Sequence, residues 1–218
     1  MPRGSSRRWM LAGLGALVAT PAAAQSPATP RDLSFRVSRK GSHMGSLRVG
    51  FTREADRLIA RTRVELSVHA AFLRVFHYTH DSIEIWRGEQ LLSLQAETSD
   101  DGQRYSVRAT PQGGNLKLEG PAGTRAVPPH SLTSNSVWHP AFVRQRNLID
   151  CEKARFESLT VEPLGQRPMP VLGMQRLVTG HRITVSHARG EVWHDQAGEW
   201  VHSVFQTKGE TLTYDRDG

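Results

Sequence analysis

Cysteine is nearly missing from the sequence: Cys151 is the only one in 218 residues. An internal disulfide is therefore excluded, and so are CxxC redox chemistry and any multi-cysteine zinc site. Lysine is scarce as well, with four residues against 24 arginines, so guanidinium groups carry almost all of the positive charge. Despite a formal charge of +7, no stretch gathers five or six like charges, which argues against a nucleic-acid surface. There is no GxSxG elbow for a serine nucleophile and no glycine-rich phosphate loop. No repeat recurs at a period of 20 to 50 residues, so a propeller or solenoid is not expected.

The N-terminal region has the layout of an export signal. Basic Arg3, Arg7 and Arg8 precede an apolar run at 10–20, followed by Ala22, Ala23 and Ala24. Cleavage is expected after Ala24, leaving 194 residues and lowering the formal charge to +4 as the three arginines leave. The apolar run is about half of the ~20 residues a membrane-spanning helix needs, so no stable span is expected. Ser6-Arg7-Arg8-Trp9-Met10-Leu11 also fits the twin-arginine export motif; Sec and twin-arginine export both stay open. The absence of cysteine near the cleavage point excludes a lipoprotein anchor. The expected organisation is a signal peptide at 1–24, a flexible leader at 25–31 and one β domain at 32–218, periplasmic or secreted.

Period-two alternation dominates the rest. Over 57–69, Leu58, Ala60, Thr62, Val64, Leu66 and Val68 share one face while Arg57, Arg61, Arg63, Glu65 and His69 share the other, the pattern of a strand with one wet side. Strands are predicted at 33–37 and 47–52, then at 72–78, 82–86, 91–97, 104–110 and 116–118. After a strand-free stretch at 126–135, one short helix is predicted over 136–146, with Pro140 in its first turn. Strands resume at 156–161 and 177–187. A closing hairpin is predicted with Asp195 to Gly198 as its loop, Trp193 facing Trp200 and His194 facing Glu199, before a last strand through Leu212 and Tyr214. The fold class expected is all-β: an antiparallel meander curled into an open or incomplete barrel, with one short helix.

These pieces resemble the DUF6134 family of exported bacterial proteins. The resemblance rests on Phe35-x-Val-x-Arg-x-Gly41-x-x-x-Gly45, on Tyr78-x-His80-x-x-x-Glu84-x-Trp86-x-Gly88-x-x-Leu91 with Thr98 to Gly102, and on Gly180 with Trp193-x-Asp195-x-x-Gly198-x-Trp200. It covers most of the mature chain. It implies export and an all-β fold, and it implies no activity. Met44 stands where a smaller aliphatic residue is expected. The strand order also resembles periplasmic half-barrels that hold apolar ligands.

Chemistry-bearing residues concentrate at 74–86. Arg74, Tyr78, His80, Glu84 and Trp86 share one parity and form the candidate ligand-binding set, provided the phase survives a turn at 79–81. His80 and Glu84 are also the catalytic candidates, as an acid/base pair; the alternative is a hydrogen-bonded pair steadying a turn beside a packed tryptophan. The 72–86 stretch is apolar on both parities, so both faces are expected to be covered, one by the core and the other by the 126–146 segment or a ligand. His194, Asp195 and His202 form a second conceivable site, although Asp195 has a simpler role as the turn's acceptor. His181 and His187 are read as surface or pocket-wall residues. Cys151 is read as a free surface thiol. No metal site or cofactor is expected.

Three readings remain: a non-enzymatic envelope β-protein binding a lipid, another apolar or amphipathic ligand, or an envelope partner; a hydrolase-like enzyme centred on His80 and Glu84; and a structural module that pairs through a sheet edge. Nucleic acid is not an expected partner.

Overall fold

A computed structural model describes residues 28–70, 73–207 and 209–218; the expected export segment at 1–24 lies outside the described residues. Eight strands open the chain as an unbroken antiparallel meander: β1 (Leu33–Arg39), β2 (Ser42–Glu54), β3 (Arg57–Ala70), β4 (Leu73–Arg87), β5 (Gln90–Asp100), β6 (Gln103–Gln112), β7 (Asn115–Gly120) and β8 (Gly123–Val127). Residues 128–159 then carry three short strands, β9 (Leu132–Thr133), β10 (Asn147–Ile149) and β11 (Phe156–Ser158). Five strands complete the chain: β12 (Thr160–Val171), β13 (Met174–Val185), β14 (Ala188–Asp195), β15 (Trp200–Thr207) and β16 (Glu210–Arg216). β16 pairs antiparallel with β1, so the two meanders merge into one 13-stranded sheet ordered β12-β13-β14-β15-β16-β1-β2-β3-β4-β5-β6-β7-β8. The sheet curls without closing, and β12 and β8 are its edges.

Alternation decides which side is concave. In β3, Ala60, Thr62, Val64 and Leu66 are buried and Arg57, Arg61, Arg63 and Glu65 are exposed, as the sequence pattern requires. The 128–159 segment lies against the concave side. Its Leu132, Val137, Trp138, Phe142, Leu148 and Ile149 join Phe35, Trp86, Leu91, Leu94 and Trp200 in the main core. Hydrogen bonds pin it from several directions, including Leu91 N–H to the Pro129 carbonyl at 2.9 Å and Ala122 N–H to the Lys153 carbonyl at 2.9 Å.

Several expectations are corrected. No turn interrupts 79–81. β4 runs through because Thr79 and Asp81 pair with Glu65 and Arg63 of β3 and with Ser99 and Glu97 of β5, and Asp81 faces outward beside Arg63 at 3.6 Å. The predicted helix is replaced by two single 3-10 turns, Ser136–Trp138 and Phe142–Arg144. Pro140 lacks an N–H and pushes the preceding His139 to extended backbone, φ −79° and ψ 130°, which stops helix propagation. Strand β12 extends past the predicted stop at 161 despite Pro163, Pro168 and Pro170. An edge strand tolerates proline because one side of its backbone needs no ladder partner. Strand β8 falls partly within the stretch taken as strand-free.

The closing hairpin is out of the expected register, by one residue at His194 and by two at Trp193. A bulge at Trp193 and His194 places His194 opposite Trp200 and Trp193 opposite His202. Nor is the outer parity of β4 covered: Leu73 is 73% exposed, Val75 54% and Ile83 38%. The 128–159 segment covers the inner face alone.

Candidate functional site

Because β4 is continuous, Tyr78, His80, Ser82, Glu84 and Trp86 all point to the concave side, and the 128–159 segment divides them into two groups. Trp86 is fully buried with its ring edge-on to Trp138, centroids 6.2 Å apart, and 5.2 Å from the ring of His139. Glu84 is also fully buried. Its Oε2 accepts from Trp86 Nε1 at 3.0 Å and Ser136 Oγ at 3.2 Å, and its Oε1 accepts from Thr133 Oγ1. Burial pushes the Glu84 carboxyl above its ordinary pKa, opposed by these three donors. Both residues belong to the packed core.

His80 and Tyr78 lie on the other side of the divide. His80 is 3% exposed. Asn135 Nδ2 can only donate, so at 2.8 Å it makes His80 Nε2 an acceptor and leaves the proton on Nδ1, which donates to Thr98 Oγ1 at 2.8 Å. Asn135 Nδ2 also donates to Ser82 Oγ at 2.8 Å. Burial lowers the His80 pKa to about 4, so the ring is neutral. The Tyr78 hydroxyl donates to Glu152 Oε2 at 3.5 Å, and burial, with Glu152 beside it, raises its pKa well above the ordinary value. His80 and Glu84 make no hydrogen bond to one another; their partners are different residues. The acid/base pair expected from the sequence is thus not assembled, because three strand residues, Asp81, Ser82 and Ile83, separate the two and Asn135 comes in between, at Ser82. Arg74 lies in β4 opposite His69, and its side chain is outside the described residues.

Beyond Tyr78 and His80 the concave side is not filled. A cavity of about 500 Å³ opens there, walled by Met44, Leu47 and Val49 of β2, Val64, Leu66 and Val68 of β3, Phe76 of β4 and Leu212 and Tyr214 of β16. Tyr78, His80, Asn135 and Glu152 form its polar end, and Arg39 and Glu210, paired at 3.4 Å, also line it. Glu84 and Trp86 are not part of this wall. Thr62 is: the residue is 3% exposed and contributes to the wall, while its hydroxyl oxygen is buried without a hydrogen-bond partner. Sequence patterning put Thr62 on the inner face of β3, where it is the polar member of an aliphatic row. That was a signal for the cavity wall. Asn135 and Glu152 gave none, since they reach the site from the irregular segment.

The other candidates are accounted for separately. Asp195 Oδ1 accepts from the N–H groups of Ala197 and Glu199, both at 3.0 Å, and Oδ2 pairs with Arg176 Nη1 at 2.9 Å. His194 Nε2–H donates to the Val137 carbonyl at 2.9 Å, and His202 faces Asp215 at 2.8 Å. The hairpin residues therefore brace the fold and do not converge. Cys151 is buried, 1% exposed, against the surface position expected from its charged neighbours. The Asp150 carboxylate is occupied in holding the turn, through the N–H groups of Glu152 and Lys153, while Cys151 joins the core, and burial pushes its thiol up to about 12. Among the described residues one group capable of holding a cation does form: ligand atoms of Asp150, Glu157 and His187 lie within 4.8 Å of one another. Burial pushes the Glu157 carboxyl up, but hydrogen bonds from Ser186 and the neighbouring His187 outweigh it and hold the group below its ordinary pKa.

Comparison with known proteins bears on the fold. A beta-barrel-like protein of the domain of unknown function DUF1849 from Brucella abortus superposes with a TM-score of 0.63 at 11% identity, covering 87% of this chain and 96% of that one. No curated protein matches the sequence. A family model described as a domain of unknown function, DUF6134, matches residues 35–217.

Proposed function

This chain belongs to the DUF6134 family, and from the cavity in its fold we propose that it is a non-enzymatic protein of the bacterial envelope that binds an apolar or amphipathic ligand. The observation that carries the reading is the 500 Å³ cavity with an aliphatic wall and a polar end at Tyr78, His80, Asn135 and Glu152. A volume of this size lies within the range of small-molecule sites, which combine apolar walls with a few placed polar groups. Tyr78 and His80 are the members of the sequence-level set that reach the ligand.

The polar end orients the ligand. The Asn135 amide and the Glu152 carboxylate offer hydrogen bonds beside a neutral His80 ring, without a net positive charge. Nothing favours chemistry at this place, since His80 has both ring nitrogens committed and Glu84 is outside the wall. The envelope location is supported by Arg3, Arg7 and Arg8 ahead of the apolar run at 10–20 and the alanines at 22–24. Among the described residues no helix is long and apolar enough to cross a membrane.

Native mass spectrometry of the protein purified from its own cells, followed by solvent extraction, tests the reading. Co-purifying apolar mass that extraction removes is the expected result. A chain that is always free of small molecules and refuses added amphiphiles would contradict it.

A further inference from the structure

We propose that Asp150, Glu157 and His187 form a binding site for a divalent metal of the zinc class, which clamps the 128–159 segment to the sheet. Asp150 follows β10 and Glu157 lies in β11, both within the segment, whereas His187 sits in the turn between β13 and β14 of the main sheet. A cation held by all three would tie the two bodies together at one point.

Three features support a site. First, both carboxylates come from residues more than nine-tenths buried, at 5% and 8% exposure, and lie within 4.8 Å of each other and of the imidazole. Two carboxylates brought this close are stabilised by a cation between them. Second, Glu157 Oε1 is buried and accepts no hydrogen bond; its ionic neighbours are His187 Nδ1 at 3.2 Å and half-exposed Arg155 Nη1 at 3.6 Å, neither in bonding geometry. Third, the carboxylates are already oriented by outer partners. Glu157 Oε2 accepts from Ser186 Oγ at 2.6 Å and from Ser186 N–H at 3.2 Å. Asp150 Oδ1 accepts from the N–H groups of Glu152 at 2.8 Å and Lys153 at 3.3 Å. Such outer bonds fix ligating carboxylates in metal sites.

The donor set selects the metal. One imidazole with two carboxylates suits zinc, leaving a fourth position for water, whereas calcium and magnesium favour oxygen donors throughout. Tetrahedral zinc at its usual bond lengths places ligand atoms about 3.3 Å apart. The cluster has to contract slightly, and His187, 44% exposed at a turn, is free to supply the movement. Because Asp150 holds the N–H of Glu152, the clamp also steadies a residue of the cavity wall.

The test is calorimetric titration of zinc ion into the chelator-stripped full chain, beside His187→Ala, a substitution in an exposed turn, and Glu157→Gln. One zinc per chain is expected, with binding weakened at least tenfold in His187→Ala and a zinc-dependent rise in melting temperature seen in the wild type alone. Should Glu157→Gln fail to fold, His187→Ala still decides. Absence of zinc binding, or equal affinity in His187→Ala, would overturn the site, since nine other histidines could bind zinc elsewhere.

Discussion

The side-chain amide of Asn135 donates to His80 Nε2 at 2.8 Å, and this bond sets the tautomer of the imidazole while helping to seat the 128–159 segment on β4. The same nitrogen serves Ser82 Oγ. Asn135→Ala therefore leaves two buried acceptors without their donor, at a cost of about 1–3 kcal/mol. Urea denaturation of the variant should show a lower midpoint with an unchanged slope.

His80 makes stability depend on pH in a definite direction. Its pKa is about 4 when folded against an ordinary value of 6.5, so between these values the unfolded chain holds a proton that the folded one does not. Stability from this group is complete above pH 6.5 and falls as pH drops toward 4, by about 3 kcal/mol over the window. Relative to His80→Gln, the wild type should lose its advantage across that range in denaturation series at fixed ionic strength.

Glu84 acts in the opposite sense. Its folded pKa is raised, so stability declines as pH climbs from the ordinary carboxyl value through the raised one. Glu84→Gln keeps an acceptor for Trp86 and should abolish this decline at small cost. Glu84→Leu strands the donors of Trp86, Thr133 and Ser136 and should cost about 3–5 kcal/mol. A pair of thermal melts at two pH values separates the variants.

Gly180 is a seat for an aromatic ring. A Cβ placed there would come within 2.4 Å of Trp193, its cross-strand partner, whose ring also lies 4.0 Å from the Arg167 guanidinium. Gly180→Ala should destabilise by about 1–3 kcal/mol through overpacking and alter the tryptophan emission.

Cys151 is buried with its thiol pushed up to about 12, so almost no thiolate exists at neutral pH. An aromatic disulfide reagent at pH 8 should leave the folded protein unmodified and label one thiol per chain in denaturant.

Much of the fold was legible because one interaction dominates it. Period-two burial is written directly in residues such as Leu58 to Val68, and a meander needs little beyond pattern and turn residues. Legibility failed where a tertiary term overrode a local one. Thr79 to Asp81 looks like a turn until both flanking strands pair with it, and Pro163, Pro168 and Pro170 look like strand breakers until their strand proves to be an edge. For the site, parity within β4 found Tyr78 and His80 but could not show that Trp138 and Ser136 would cover Trp86 and Glu84. The Asp150, Glu157 and His187 group joins residues up to 37 positions apart in sequence and has no local signature.

The central claim is that the concave cavity binds an apolar ligand, and titration with the fluorophore N-phenyl-1-naphthylamine tests it most directly, comparing wild type with Leu66→Trp, a substitution that fills the cavity. The account predicts saturable emission enhancement at one site per chain, reversed by a competing amphiphile and lost in Leu66→Trp, while the variant's cooperative unfolding is retained. No saturable binding by the wild type, or equal binding by a folded Leu66→Trp, would contradict it.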